Sequence, residues 1–219
     1  MFEISRIKGI IFDCYGTLID IDTDEDDYYT YDTVSKWLKY KGVKIDPDLL
    51  RSEYHSKIRD KMEASKEKYP EVRVEEIFAE ICGENAIWKS DTTYLGIETS
   101  KVFRSASLRR LHPFQESLEI LKRYKGLSLC LVSNGQRVFS EKELRFLGLY
   151  EFFDHVIFSS DMRYKKPDQR IFRIALERMK LKPEEVLSVG DTAENDIIAP
   201  QEIGMEAMHI YDAWRDLLD

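Results

Sequence analysis

Three aspartates, a lysine and a few hydroxyl and amide side chains hold the chemistry that this sequence could do. Asp13 closes the apolar run Ile10-Ile11-Phe12, and Gly16 and Thr17 follow it. Ser133 and Asn134 close a second apolar run, Lys166 stands directly before Pro167, and Asp191 and Asp196 follow a third run. A carboxylate can be a nucleophile or a ligand for a hard cation, hydroxyls and amides donate to anionic oxygen, and lysine supplies a compact positive charge. Taken singly, each is an ordinary turn or loop residue, because Asp, Asn, Ser and Gly are common turn formers. Their recurrence after successive apolar runs points to one site.

Positioning them requires strands whose ends meet. Ile10 to Phe12, Leu127 to Val132, His155 to Phe158, Val186 to Val189 and Glu206 to Ile210 read as short strands rich in β-branched and aliphatic residues. Between them, Phe114–Lys125, Val138–Phe146, Asp168–Met179 and Asp196–Ile203 read as amphipathic helices, closed by residues such as Gly126, Gly148 and Gly204. Strands alternating with helices imply βαβ units, a parallel sheet and right-handed crossovers, an α/β architecture of Rossmann-like kind. All the candidate residues then share the carboxyl edge of the sheet, where ligands bind in such folds. Residues 21–107 break the alternation. Tyr28–Tyr40, a segment opened by Asp46-Pro47-Asp48, the stretch around Val74 to Gly83, and Trp88–Arg110 all read as helical, with no convincing strand. The expected organisation is a core of residues 1–20 and 108–219 with an inserted all-helical cap, 21–107. The acidic run Asp20 to Asp27 reads as a solvated loop or helix start, since it lacks the glycine and final glutamate of a calcium loop.

Composition narrows the partners. The chain of 219 residues is 43% hydrophobic and 34% charged, with a net charge of −8. That is the composition of a folded globular chain, and its acidity disfavours nucleic acid and anionic membranes. Cys14, Cys82 and Cys130 are an odd, unpatterned set that implies neither a disulfide framework nor a zinc site. The opening Met1–Arg6 is too short and polar for a signal peptide, and no apolar run reaches a bilayer's thickness. The expectation is a cytoplasmic monomer or homodimer acting on a small anionic substrate.

Four motifs carry a family resemblance. Phe-Asp13-Cys-Tyr-Gly-Thr17-Leu, Val-Ser133-Asn134-Gly, Lys165-Lys166-Pro167-Asp168 and Val-Gly190-Asp191-Thr-Ala-Glu-Asn-Asp196 resemble, in order, the four motifs of the haloacid dehalogenase superfamily, most of whose members are phosphatases. The resemblance spans the chain, including a helical cap between the first and second motifs. It implies Asp13 as nucleophile, with Thr17, Ser133 and Asn134 as donors to substrate oxygens. Lys166, the lysine directly before proline, is implied rather than Lys165. It further implies Mg²⁺ bound by Asp13, Asp191 and the main-chain carbonyl of Tyr15, with Asp196 orienting the metal shell or binding Lys166.

One position departs from the phosphatase pattern. Family phosphatases carry a second aspartate two residues after the nucleophile, as general acid and base, and this chain has Tyr15 there. Tyrosine at that position resembles the 2-haloacid dehalogenases, whose leaving halide needs no proton. Yet those enzymes need no metal and lack the aspartate that Asp191 supplies here. Three readings follow: a Mg²⁺-dependent phosphatase whose acid comes from elsewhere, Asp20 or a cap residue, or which is slow; a dehalogenase acting on a 2-halocarboxylate; and a catalytically weak descendant that binds a ligand or a protein.

Overall fold

Ile10, Ile11 and Phe12 alternate between two apolar clusters, which places their strand at the centre of a sheet covered on both faces. The computed structural model describes residues 4–218; Met1 to Glu3, part of the stretch read as lacking a signal peptide, and Asp219 lie outside it. Strands β1 (Gly9–Phe12), β4 (Ser128–Ser133), β5 (His155–Phe158), β6 (Val186–Gly190) and β7 (Glu206–His209) form one sheet in the order β5-β4-β1-β6-β7. Every pairing is parallel, with Ile11 opposite Cys130 on one side and Ser188 on the other. The chain runs outward from β1 through β4 to β5, then returns to β6 and β7 on the far side. That reversal beside β1 is the topological switch point at which α/β folds open a crevice.

One face of the sheet packs on α5 (Gln115–Arg123), α6 (Arg137–Phe146) and α10 (Ile210–Asp216), and the other on α8 (Gln169–Met179). Helix α10 extends the sequence reading, in which the chain ended on a strand through Ile210. Ile210, Ala213 and Leu217 are buried at helical spacing. The segment read as a helix from Asp196 to Ile203 is instead a π-helical stretch, Ala193–Ile198, followed by the short turn α9 (Ala199–Gln201). Such wide turns recur at functional sites because they re-aim side chains.

Between β1 and α5 lie β2 (Ile19–Thr23), α1 (Tyr28–Tyr40), α2 (Pro47–Ala64), α3 (Val74–Asn85), α4 (Thr92–Ser107) and β3 (Leu108–Pro113). The expectation of no strand in this region is corrected by β2 and β3, which pair antiparallel with Ile21 opposite Leu111 and Asp22 opposite Arg110. The signal was a two-residue alternation, Ile19 and Ile21 against Asp20 and Asp22, hidden in an acid-rich run. Asp27, Asp46 and Asp91 cap α1, α2 and α4 by accepting main-chain N–H bonds. The four helices bury an aromatic core of their own around Tyr31, Tyr54, Phe78 and Phe103, which Phe139 of α6 joins from the sheet side. No helix among the described residues is long and apolar enough to cross a membrane.

Candidate active site

Asp13 stands one residue past β1, and its main-chain N–H donates to Val189 O at 2.9 Å, so the end of β6 fixes it in place. Lys166 reaches it from the loop between α7 (Ser159–Met162) and α8. The lysine is 3% exposed. Its ammonium has three acceptors, Asp13 Oδ1 at 2.7 Å, Asp196 Oδ1 at 2.6 Å and Val132 O at 2.9 Å. All three N–H donors of a buried cation are thereby satisfied, as burial requires. Burial alone would lower the Lys166 pKa, but the Asp13 and Asp196 charges outweigh it and the net direction is up. Lys165, the other lysine of the motif, is only partly buried and lies outside this cluster.

Asn134 holds Lys166 by its backbone. The Lys166 N–H donates to Asn134 Oδ1 at 2.7 Å, and Asn134 Nδ2 donates back to Lys166 O at 3.0 Å. The Oδ1 and one Nδ2–H of Asn134 thus position the lysine loop, and the second Nδ2–H is the donor left for the expected role toward substrate. Ser133 ends β4 and is 1% exposed. Thr17 is fully buried, and its Oγ1 has no hydrogen-bond partner among the described residues.

The acids complete the cluster. Asp196 lies on the π-helical stretch with its second oxygen accepting from Thr192 N–H at 3.1 Å. Burial raises its pKa to about 6, with Lys166 pulling down and Asp13 pushing up. Gly190 makes room for it, since a Cβ there would sit 2.3 Å from Asp196. Asp191 stands at the mouth, open to solvent on one side and packed on Gly16 on the other. Gly16 adopts φ +79°, and a Cβ on it would meet Asp191 Oδ2 at 2.3 Å, so the turn needs glycine twice over. Partial desolvation and the Asp13 charge raise the Asp191 pKa. One oxygen from each of Asp13, Asp191 and Asp196 lies within 4.8 Å of the others. Three carboxylates converge where one ammonium pairs with only two of them, and the donors are hard oxygens. That set fits a small dication such as Mg²⁺. The bridge between Tyr15 and Ile19 uses the Cys14 carbonyl and the Gly16 N–H, and neither bond takes the Tyr15 carbonyl.

The Tyr15 side chain belongs to a second cluster. Its hydroxyl donates to Glu143 Oε2 and lies 2.8 Å from Ser140 Oγ, both on α6. Burial, then the Cys14 and Glu143 charges, push the phenol well above its ordinary value. It is not a base at neutral pH. Glu143 is 6% exposed. Arg104 of α4 places Nε 3.2 Å from Glu143 Oε1, close enough for an ion pair, yet the N–H direction misses the oxygen and neither atom has a hydrogen bond among the described residues. The same guanidinium donates to Glu25 at 3.1 Å and stacks on Phe139. Glu143 is not singled out by the sequence. A glutamate four residues after Phe139, on the buried face of α6, was the available signal.

These groups border a cleft of about 440 Å³ lined by Tyr15, Ile21, Thr23, Glu25, Glu71, Arg104 and Asn134 among others. Ile21 and Thr23 face it, so Asp20 and Asp22 face the opposite side of their strand. Asp20 pairs with Arg110 at 2.8 Å. The expectation that Asp20 is the missing acid is corrected on that ground.

The family model of the haloacid dehalogenase-like hydrolases matches residues 7–204. Similar curated proteins include a glyceraldehyde 3-phosphate phosphatase from Methanothermobacter thermautotrophicus, 34% identical over 108 residues, 48% of each chain. A phosphoserine phosphatase from Thermus thermophilus is 32% identical over 108 residues, 49% of this chain and 43% of that one. The chain thus spans about half the length of the curated relatives it matches. Among solved structures, a 2-haloacid dehalogenase from Pseudomonas syringae pv. Tomato DC3000 matches with a TM-score of 0.65 and 25% identity, covering 92% of this chain and 85% of that one.

Proposed function

The chain belongs to the haloacid dehalogenase-like hydrolases, and we propose that it is a Mg²⁺-dependent phosphatase that hydrolyses a small phosphorylated metabolite through a phosphorylated Asp13. The observation that carries this reading is the excess of negative charge at the strand ends, where Asp13, Asp191 and Asp196 converge and Lys166 pairs with only two of them, Asp13 and Asp196. A dication there serves phosphoryl transfer, in which negative charge builds on transferring oxygens, and has no use in halide displacement.

In this mechanism the Asp13 oxygen not bonded to Lys166 attacks phosphorus, and the ester P–O bond breaks as the acyl phosphate forms. Lys166 fixes the nucleophile's orientation and faces the phosphoryl charge. Mg²⁺, when bound by Asp13, Asp191 and the Tyr15 carbonyl, would neutralise the phosphoryl oxygens, with Asp196 behind. Ser133 and the unpartnered Thr17 hydroxyl are donors to those oxygens. The leaving oxygen takes its proton from water, because the Tyr15 hydroxyl is tied to α6. Water then attacks phosphorus, releasing inorganic phosphate and restoring Asp13. The relatives named as glyceraldehyde 3-phosphate and phosphoserine phosphatases support the same reaction class.

Tyr15 favours a second reading, halide release from a 2-halocarboxylate, and the fold match to a 2-haloacid dehalogenase goes with it. The test is parallel assay of acetyl phosphate and p-nitrophenyl phosphate, with Mg²⁺ and then with EDTA, beside 2-chloropropionate with halide detection. Phosphate release that is lost with EDTA and in Asp13→Asn supports the first reading. Halide release indifferent to EDTA supports the second. Silence on every substrate leaves the binding protein as the surviving reading.

A further inference from the structure

Resting on the phosphatase reading, we infer that the cleft lined by Tyr15 and Asn134, which follow Asp13 and Ser133 closely in the chain, selects phosphomonoesters whose leaving group carries an ammonium or no charge, and rejects those carrying a carboxylate. The argument is the state of each charged group that lines it. Among the described lining residues, Arg104 is the one cation. Its side chain is 15% exposed, held between Glu25 at 3.1 Å and Glu143 at 3.2 Å, and stacked on Phe139. It has no charge left over for a substrate carboxylate.

Glu71 is the converse. Its carboxylate accepts from Ser159 Oγ at 2.8 Å, Val72 N–H at 3.0 Å and Gln136 Nε2 at 3.2 Å. All three partners are neutral, so its negative charge is solvated by dipoles, with no ion pair among the described residues. With Glu25 and Glu71 against Arg104, the cleft wall carries net negative charge, and Glu143 behind it adds more. The remaining wall is apolar, from Ile21, Ile58, Met62 and Val74. A buried or half-buried carboxylate without a free cation is repelled and desolvated at once. An ammonium finds acceptors in Glu71 and Glu25, and an alkyl group finds the apolar wall.

Three probes with the same two-carbon frame test this: ethyl phosphate, O-phosphoethanolamine and phosphoglycolate, assayed for phosphate release with Mg²⁺. The expected kcat/KM for phosphoglycolate is about tenfold or more below ethyl phosphate, with O-phosphoethanolamine equal to or above it. Glu71→Gln is expected to shrink the ratio of O-phosphoethanolamine to phosphoglycolate several-fold. Glu25→Gln, which frees one side of Arg104, is expected to raise phosphoglycolate relative to ethyl phosphate. Ratios within each variant are independent of how much of it folds. Phosphoglycolate turned over as well as or better than ethyl phosphate overturns the inference and leaves the phosphatase reading standing. Ratios unmoved in both variants also overturn it. No release from any of the three or from p-nitrophenyl phosphate overturns the phosphatase reading and the inference with it.

Discussion

Two clusters of like composition meet the turn after β1, one at Asp13 and the other at Tyr15, and they differ in how completely their cation is bonded. At the strand ends Lys166 gives one N–H each to Asp13, Asp196 and a main-chain carbonyl. In the cleft wall Arg104 faces Glu25 and Glu143, but its Nε–H misses the glutamate. The first cluster is held from behind by Asn134 and leaves a third acid, Asp191, at the mouth with no ion pair among the described residues. The second is assembled from α4, α6 and the loop after β2. A rigid ammonium with an open acid beside it is suited to chemistry. A guanidinium shared between two acids is suited to shaping a wall and joining two layers. The difference lies in geometry, since both clusters have an excess of carboxylate.

The comparison breaks first at Lys166. Lys166→Met leaves Asp13 and Asp196 buried together without a cation. Loss of about 3–5 kcal/mol of stability is expected, with kcat down on the order of 10² to 10³, by urea titration and phosphate release. A variant as stable as the parent would mean that the two acids do not depend on the lysine. Tyr15→Phe probes the other cluster. It removes the hydroxyl that faces Glu143, so a loss of about 1–3 kcal/mol is expected. Turnover of acetyl phosphate should stay within a few-fold and its pH profile should not move. A shifted profile would return Tyr15 to the chemistry.

A smaller effect separates buried pairs from exposed ones. Glu76 on α3 and Arg163 beyond β5 make a two-pronged pair at 2.8 and 2.5 Å that ties the helical block to the sheet layer. Hydrogen bonds from Arg163, then its charge against a modest burial penalty, hold the Glu76 carboxyl below its ordinary value. A depressed acid stabilises the fold above its ordinary pKa, and that stability is lost as pH falls through the depressed value. Melting temperature should therefore fall on acidification from about pH 5 to about pH 3, and Arg163→Ala should flatten part of that fall. An unchanged acid slope would remove the pair from the account. The smallest effect is expected at Asp20→Asn, on the solvent face of its strand. Neither melting temperature nor turnover should move, whereas loss of turnover would make Asp20 the acid after all.

How much was legible in the chain follows the same division. Asp13, Ser133 and Asp191 each end or follow a short apolar run, so buried strands with polar punctuation sufficed to gather them, whereas Lys166 was legible only through the resemblance of Lys165-Lys166-Pro167-Asp168 to a family motif. Five parallel strands and the helices between them were legible for the same reason. The β2–β3 ribbon was not, because its alternation is written in Asp and Arg, residues that read as solvated loop. Asn134 was seen as a donor, but only the fold shows that its amide meets the Lys166 backbone. Glu143 and Arg104 come from helices far apart in sequence, and no local pattern says that a glutamate under Phe139 will face an arginine of α4. Contacts made by strand ends are periodic in sequence, and contacts between helices of different layers are not.

The central claim is that water cleaves a phosphorylated Asp13 at phosphorus. Turnover in ¹⁸O-labelled water tests it directly, with mass analysis of both the released product and the peptide that carries Asp13. A phosphatase of this kind puts the label into inorganic phosphate and leaves Asp13 unlabelled. Label in the Asp13 carboxylate, with halide released from 2-chloropropionate, would mean that water attacks an ester carbon, and would contradict the account.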